Sequence, residues 1–284
     1  MSEDVRENTY VLPSESAAEM ARLIDQDITM TDAIGIFPGD VVVYEGDRIL
    51  DVACGPGGWA RRAALEYPQA SVVGIDISHT MISYANAYVQ AQQLHNIEFH
   101  EANVLKPLPF ADASFNIVNA RLMVGFLDDN SWRHVLGEMM RVLVPGGIII
   151  LTESDSLTNS NSPALEQYMQ LMYRAMYTRG FTHNPAKVNL GITPLLEQFL
   201  QQVGCQQIQQ QPYVTNLSFG TPGHSALIEN MRLGLKLFQP FIVKCGIAEQ
   251  EMLDELYDKC FEEAYAENFR NLNYALRVWG KKPA

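Results

Sequence analysis

The segment Ile49-Leu-Asp-Val-Ala-Cys-Gly-Pro-Gly-Gly-Trp-Ala60 gathers the residues from which chemistry would be built. It follows a run of strand type and opens a stretch of helix type. Glycines in such a turn let the backbone approach a ligand closely and accept the positive φ of a tight bend. The helix N-terminus behind it adds unpaired N–H groups and a partial positive charge. Gly55-Pro-Gly-Gly-Trp-Ala60 fits G-x-G-x-x-[GA], and Asp76 lies about twenty residues on, so the template alone admits a dinucleotide.

Two acids shift that choice. Asp51, four residues before the first glycine, puts a carboxylate at the strand's end near the turn. A pyrophosphate gains nothing from such a charge, whereas an ammonium pairs with it directly or through water. Asp76, at the end of the next strand-type run, is placed to accept both hydroxyls of a ribose. Together the acids suit a nucleoside with a charged amino-acid tail and no phosphates, a description that S-adenosylmethionine meets. A nicotinamide dinucleotide on the same turn is the competing ligand, and a NAD-dependent oxidoreductase the competing enzyme.

The elements that must carry these residues show in the periodicity. Apolar, β-branched runs at 48–53, 71–76, 97–101, 115–119 and 148–152 have strand length. Helix-like stretches at 59–67, 80–94 and 132–143 separate them, with Ser78 as an N-cap and Pro145-Gly-Gly147 as punctuation. Strands alternating with helices predict an α/β, doubly wound, mostly parallel sheet. Upstream, residues 14–37 carry Ala17, Ala18, Met20, Ala21, Leu23, Ile24 and Ile28 at helical spacing. Downstream, helices are expected over 163–178, 193–203 and 222–268, with strand-like 205–214 and a terminal strand at 271–279. The division expected is a helical cap (1–46), a binding core (47–153), and a remainder (154–284) whose insertions 154–190 and 218–268 form a lid.

At this level the chain resembles the class I S-adenosylmethionine-dependent methyltransferases, close to the ubiquinone/menaquinone-biosynthesis type that acts on small molecules. The similarity rests on Leu50-Asp-Val-Ala-Cys-Gly-Pro-Gly-Gly58, Val73-Gly-Ile-Asp-Ile-Ser78, Asn103-Val-Leu-Lys-Pro-Leu-Pro-Phe110, Ser114-Phe-Asn-Ile-Val118 and Glu138-Met-Met-Arg-Val-Leu-Val-Pro-Gly-Gly147. It implies a Rossmann-like methyltransferase fold with a seven-stranded sheet. It also implies that Asp51 and the backbone of Ala53, Gly55 and Gly57 hold the methionine portion of S-adenosylmethionine. Asp76 would bind the ribose, Ile77 and Met81 would pack beside the adenine, and Asn103 and Val104 would meet the ring's polar edge. Asn103 and Asn116 stand where relatives usually have Asp; an Asn carbonyl still accepts a hydrogen bond. Arg121 either touches the cofactor carboxylate or pairs with a structural acid. Tyr10 could fold over the cofactor.

Methyl transfer from a sulfonium is an in-line displacement that asks the protein chiefly for alignment and exclusion of water. A base helps where the acceptor is a phenol, enol or acidic carbon. The candidates are Glu153 at the end of the fifth strand and His183 and His224 in the lid. For each histidine a structural imidazole competes, and for Glu153 a helix cap or ion pair. The lid's Tyr168, Met169, Met172, Tyr173, Met176, Tyr177 and Phe181 read first as core, yet adaptable methionines around the crevice suit a lipophilic or aromatic acceptor. Non-methylating cyclisation or rearrangement by a bound sulfonium is the alternative within the same fold.

Composition narrows the partners. In 284 residues there are 20 Lys+Arg against 33 Asp+Glu, a net charge of −13 that opposes a nucleic acid. No apolar run reaches the ~20 residues of a membrane helix. The charged start Met-Ser-Glu-Asp-Val-Arg-Glu is unlike a signal peptide. Cys54, Cys205, Cys245 and Cys260 lack metal or disulfide spacing and read as reduced thiols of a cytoplasmic protein. No metal is expected. The expected partner is a small-molecule methyl acceptor, and self-association through the amphipathic helices is expected over a monomer.

Overall fold

In the computed structural model, which describes residues 9–156 and 158–284, five strands alternate with helices: β1 (Arg48–Val52), β2 (Ser71–Asp76), β3 (Ile97–Glu101), β4 (Phe115–Arg121) and β5 (Leu143–Glu153). The charged N-terminal heptapeptide lies outside the described residues. Neighbours along each strand bury into opposite cores. Leu50, Val73, Val118 and Ile149 face one, and Ile49, Val72, Ile117 and Ile150 the other. A sheet covered on both faces requires such near-continuous apolar strands. α2 (Gly58–Glu66) and α3 (His79–Gln92) supply the cover on one side through Trp59, Ala63, Ile82 and Ala85. On the other side α4 (Asp129–Val142) contributes Trp132, Leu136 and Met139.

The sheet order is β3-β2-β1-β4-β5-β8, where β8 (Asn271–Lys281) runs antiparallel to β5 and is bordered in turn by antiparallel β7 (Gln206–Asn216). This is the expected doubly wound, Rossmann-like arrangement. A two-residue strand β6 (Asn159–Ser160) pairs with the start of β8 and adds an eighth member to the seven expected. β5 starts five residues earlier than its apolar run. The ladder jumps from Phe115↔Leu143 to Ile117↔Ile148, so Pro145-Gly-Gly147 bulges out of the strand instead of preceding it. Ser78 caps α3, its Oγ accepting the Met81 N–H at 3.2 Å. Asp128 caps α4 by accepting from Ser131 N–H at 2.8 Å, which moves that helix's start ahead of Trp132.

The first helix, α1 (Ala17–Ile34), turns opposite to its apolar pattern. Ala17 and Ala21 are exposed and Ile28 is 53% exposed, while Glu19 and Arg22 are buried. The polar stripe can be buried because it is internally paired. Arg22 grips Glu19 with two N–H···O bonds of 2.7 Å, and Tyr10 Oη donates to Glu19 at 2.6 Å. The helix's C-terminal carbonyls are met from the sheet. Fully buried Arg277 of β8 donates to Ile34 O at 3.1 Å and to Gly35 O at 2.8 Å, placing a cation at the negative end of the helix.

The remaining helices are α5 (Pro163–Tyr177), α6 (Leu196–Gln202), α7 (His224–Lys244) and α8 (Gln250–Ala264). The expected span 222–268 is therefore two helices, separated by a turn at Gly246 (φ +66°). α7 packs on α1, α5 and α8. Among the described residues no helix is long and apolar enough to cross a membrane. The chain leaves β1 for β2 and β3 on one side and reaches β4 and β5 on the other. Such a reversal opens a crevice at the carboxyl ends of β1 and β4.

Candidate active site

That crevice is a cavity of about 220 Å³. Asp76, Asp51 and Arg121 reach it from the ends of β2, β1 and β4. Tyr10, Ala53, Gly55, Ile77, Met81, Asn103 and Val104 also line it. Gly57 does not. It is the N-cap of α2 at φ +77°, and a methyl group there would land on the Phe99 ring, so the loop can approach the sheet only with glycine. Gly58 lines the cavity but has the carboxylate of Asp27 packed against it.

Asp76 braces the glycine turn. Its Oδ2 accepts the Gly55 N–H at 2.8 Å and its Oδ1 accepts the Ser78 N–H at 2.9 Å. Burial pushes its carboxyl above the usual range, and those N–H donors oppose the shift. Asp51 is 3% exposed and accepts from Asn119 Nδ2 at 2.8 Å. Burial raises its pKa to about 7; Arg121 and Asn119 hold it down, and Asp27 and Asp76 push it up. Asn103 Oδ1 accepts the Leu105 N–H at 2.9 Å, leaving one lone pair for a ligand.

For Arg121 the structure shows the acid-paired alternative: the guanidinium forms an ion pair with Asp27 of α1 and donates to Thr31 Oγ1 at 3.1 Å. Tyr10 sits at the cavity with its ring edge-on to Phe126, centroids 6.2 Å apart. Burial pushes its phenol well above the ordinary value.

A second chamber of about 130 Å³ adjoins the first. Both are bounded by Arg22, Gln26, Met30, Leu122, Ser154 and Phe238, which form the neck between them. Beyond the neck the walls are mainly Leu165, Met169, Met172, Leu227, Met231 and Leu235, from α5 and α7.

None of the three expected catalytic residues lines either chamber. Glu153 is fully buried, and its carboxylate accepts the Met123 N–H at 2.7 Å and the Val124 N–H at 3.4 Å. It thus holds the short 3₁₀ turn after β4 instead of facing an acceptor. His183 pairs through Nδ1 with Asp129 at 2.8 Å in a separate groove beside Phe199. His224 begins α7 and donates Nε2–H to Ala264 O at 2.9 Å among Phe219, Tyr265 and Phe269. Each sits where a local polar partner is available, which the spacing in the sequence does not disclose.

Arg22, Gln26, Asp27 and Phe238 were not anticipated at the site. A signal existed for the first two: Glu19, Arg22 and Gln26 recur at i, i+3 and i+7, a polar stripe on one helix face.

A methyltransferase domain family matches residues 49–147, the segment from β1 to the bulge of β5. A demethylmenaquinone methyltransferase of Bacillus cereus is 29% identical over 204 residues, covering 68% of this chain and 80% of the relative. The chain carries a class I S-adenosylmethionine-dependent methyltransferase domain. Among solved structures, the YcgJ protein of Bacillus subtilis superposes with a TM-score of 0.55 at 19% identity, over 92% of this chain and 98% of that one. A phosphoethanolamine N-methyltransferase of Haemonchus contortus, solved with S-adenosylhomocysteine, gives 0.54 at 18% identity, over 95% of this chain and 58% of that one. These two likenesses speak to the fold.

The methyltransferase's own cavity fits its cofactor. Three carboxylates (Asp27, Asp51 and Asp76) front it, which repels a diphosphate and suits a ligand bearing ammonium and sulfonium charges. Ile77, Met81, Val104 and Leu105 form apolar walls beside Asp76 for the flat face of an adenine.

The position of Glu153 yields a prediction. Burial lifts its pKa from 4.5 to about 8, against the two backbone N–H groups. A carboxyl raised on folding costs stability as pH climbs above its unfolded value, and the cost grows until the folded value is passed. The methyltransferase with Glu153→Gln is therefore expected to gain in Tm relative to wild type from pH 4.5 to pH 8. Its turnover should stay within about threefold, as for His183→Gln and His224→Gln, because no transition-state contact is removed. Paired thermal melts and kinetics check both statements.

Proposed function

We propose that the enzyme methylates a small lipophilic or aromatic acceptor seated in the chamber between α5 and α7. The carrying observation is the neck: a methionine- and leucine-walled chamber opens onto the cofactor cavity through residues common to both. S-adenosylmethionine supplies an electrophilic methyl group on its sulfonium. Asp76 would hold the ribose, Ile77, Met81 and Val104 the adenine, and Asp51 the ammonium end. Asn103 would accept from the adenine amino group.

Arg22 is the one ionisable side chain among the described residues lining the acceptor chamber, and Glu19 already holds it at two atoms. The protein's part is then to align an acceptor that brings its own nucleophile and to keep water out. Methionine walls adapt to a flat or branched apolar body.

Incubation with methyl-labelled S-adenosylmethionine and two acceptor panels tests this reading. Prenylated hydroquinones and naphthols are expected to take up label with stoichiometric release of S-adenosylhomocysteine. Label passing solely to polar acceptors such as phosphoethanolamine or glycine would overturn it.

Asp51 adds a pH dependence. With its pKa near 7 in the free protein, an ammonium beside it favours the ionised form, so binding releases a proton at lower pH. Affinity for S-adenosylhomocysteine should be full above pH 8. It should weaken towards about tenfold per pH unit well below 7. Arg121, Asn119, Asp27 and Asp76 are the groups that set this value. Calorimetry in buffers of different ionisation enthalpy counts the proton, and Asp51→Asn should abolish both release and slope.

A further inference from the structure

α1 lies outside the matched methyltransferase segment, yet it brings charge to the cofactor cavity. Asp27 stands where α1 crosses the start of α2: its carboxylate contacts Gly58 and pairs with Arg121. Both members of the pair line the cavity, and their side chains are 15% and 13% exposed. Thr31, one turn further along α1, donates to Asp27 at 3.2 Å and accepts from Arg121, holding the two in register.

The order of strand ends says which part of the cofactor meets this pair. Asn103 and Val104 follow β3, Asp76 ends β2, Asp51 lies in β1, and Arg121 ends β4. With strands ~4.8 Å apart, the row from β3 to β4 spans about 14 Å, the reach of a nucleoside with an amino-acid tail. Adenine and ribose at the β3 and β2 ends leave the amino-acid end at β1 and β4. Charge agrees. Arg22 is committed to Glu19, so among the described lining residues Arg121 is the cation left to face the carboxylates Asp27, Asp51 and Asp76.

Resting on the cofactor assignment above, we propose that the Asp27–Arg121 pair completes the receptor for the cofactor's amino-acid end, Asp27 joining Asp51 at the ammonium and Arg121 taking the carboxylate. A zwitterion is the one common group that can enter an ion pair and satisfy both members at once. The consequence is that α1 is a lid whose fastening to β4 runs through the bound cofactor. Its C-terminus is fixed to the sheet by Arg277, and its middle is fastened at Asp27. The methionine tail then reports to the helix whose Arg22, Gln26 and Met30 form the neck to the acceptor chamber.

Two probes separate a charge receptor from a mere cover: S-adenosylhomocysteine, which carries the amino-acid end, and 5′-methylthioadenosine, which lacks it. Asp27→Asn and Arg121→Gln are each expected to weaken S-adenosylhomocysteine by about tenfold or more, the loss of one charge-assisted contact. Binding of 5′-methylthioadenosine should stay within about twofold. Equal weakening of both probes, or no weakening of either, overturns the proposal. Failure of the wild-type protein to bind either probe overturns the cofactor assignment and this inference with it. The two variants break opposite members of the pair, so one misfolded variant leaves the other to decide.

Discussion

Asp76→Ala is expected to lower affinity for S-adenosylhomocysteine by about 10²–10⁴-fold. Two hydroxyl-to-carboxylate hydrogen bonds are lost, each about 1.5–3 kcal/mol, and every 1.4 kcal/mol is tenfold. The same carboxylate accepts the N–H groups of Gly55 and Ser78, so its removal also frees the glycine turn and the entrance to α3. A drop in thermal stability should accompany the loss. 5′-Methylthioadenosine retains the ribose, so it should weaken in parallel, the pattern opposite to that expected for Asp27→Asn. Calorimetry with both ligands on both variants reads the two ends of the cofactor separately. A ribose held elsewhere would leave 5′-methylthioadenosine binding unchanged in Asp76→Ala.

Gly234→Leu is expected to cut kcat/KM for the methyl acceptor by about 100-fold, roughly 2.7 kcal/mol of transition-state stabilisation. Gly234 lies in α7 on the wall of the acceptor chamber. A methyl group built there meets Arg22 Cδ at 3.4 Å and nothing nearer. Alanine therefore fits, and a helix interior favours it over glycine by about 1 kcal/mol. A leucine side chain instead enters the space that the acceptor needs. Cofactor affinity should stay within about threefold, since the chamber beyond the neck is the part filled. Gly234→Ala is the control, with turnover retained and Tm unchanged or raised. Normal acceptor kinetics in Gly234→Leu would place the acceptor outside this chamber.

The binding core was legible because its determinants are local. Each strand from β1 to β4 carries its own apolar run, the glycine turn announces the end of β1, and Ser78 announces the start of α3. Where sequence reading and structure diverge, long-range pairing decided. α1 shows an apolar stripe, yet the face turned inward is Glu19 and Arg22, because Tyr10 and the Arg22–Glu19 fork satisfy each other there. In the sequence, Glu153, His183 and His224 carry no sign of a structural partner. Their partners, the Met123 N–H, Asp129 and the Ala264 carbonyl, come from segments whose approach only the fold defines. Asp27 carries no local sign of its role for the same reason: its partner Arg121 is 94 residues away.

The central claim is geometric: cofactor and acceptor occupy adjoining chambers, and the methyl group crosses at the neck. A crystal of the enzyme with the selenium analogue of S-adenosylhomocysteine tests it through one anomalous peak. Selenium is expected at the neck bounded by Arg22, Gln26, Leu122, Ser154 and Phe238. A peak at the outer mouth of the cavity, with those side chains still packed on one another, would contradict it.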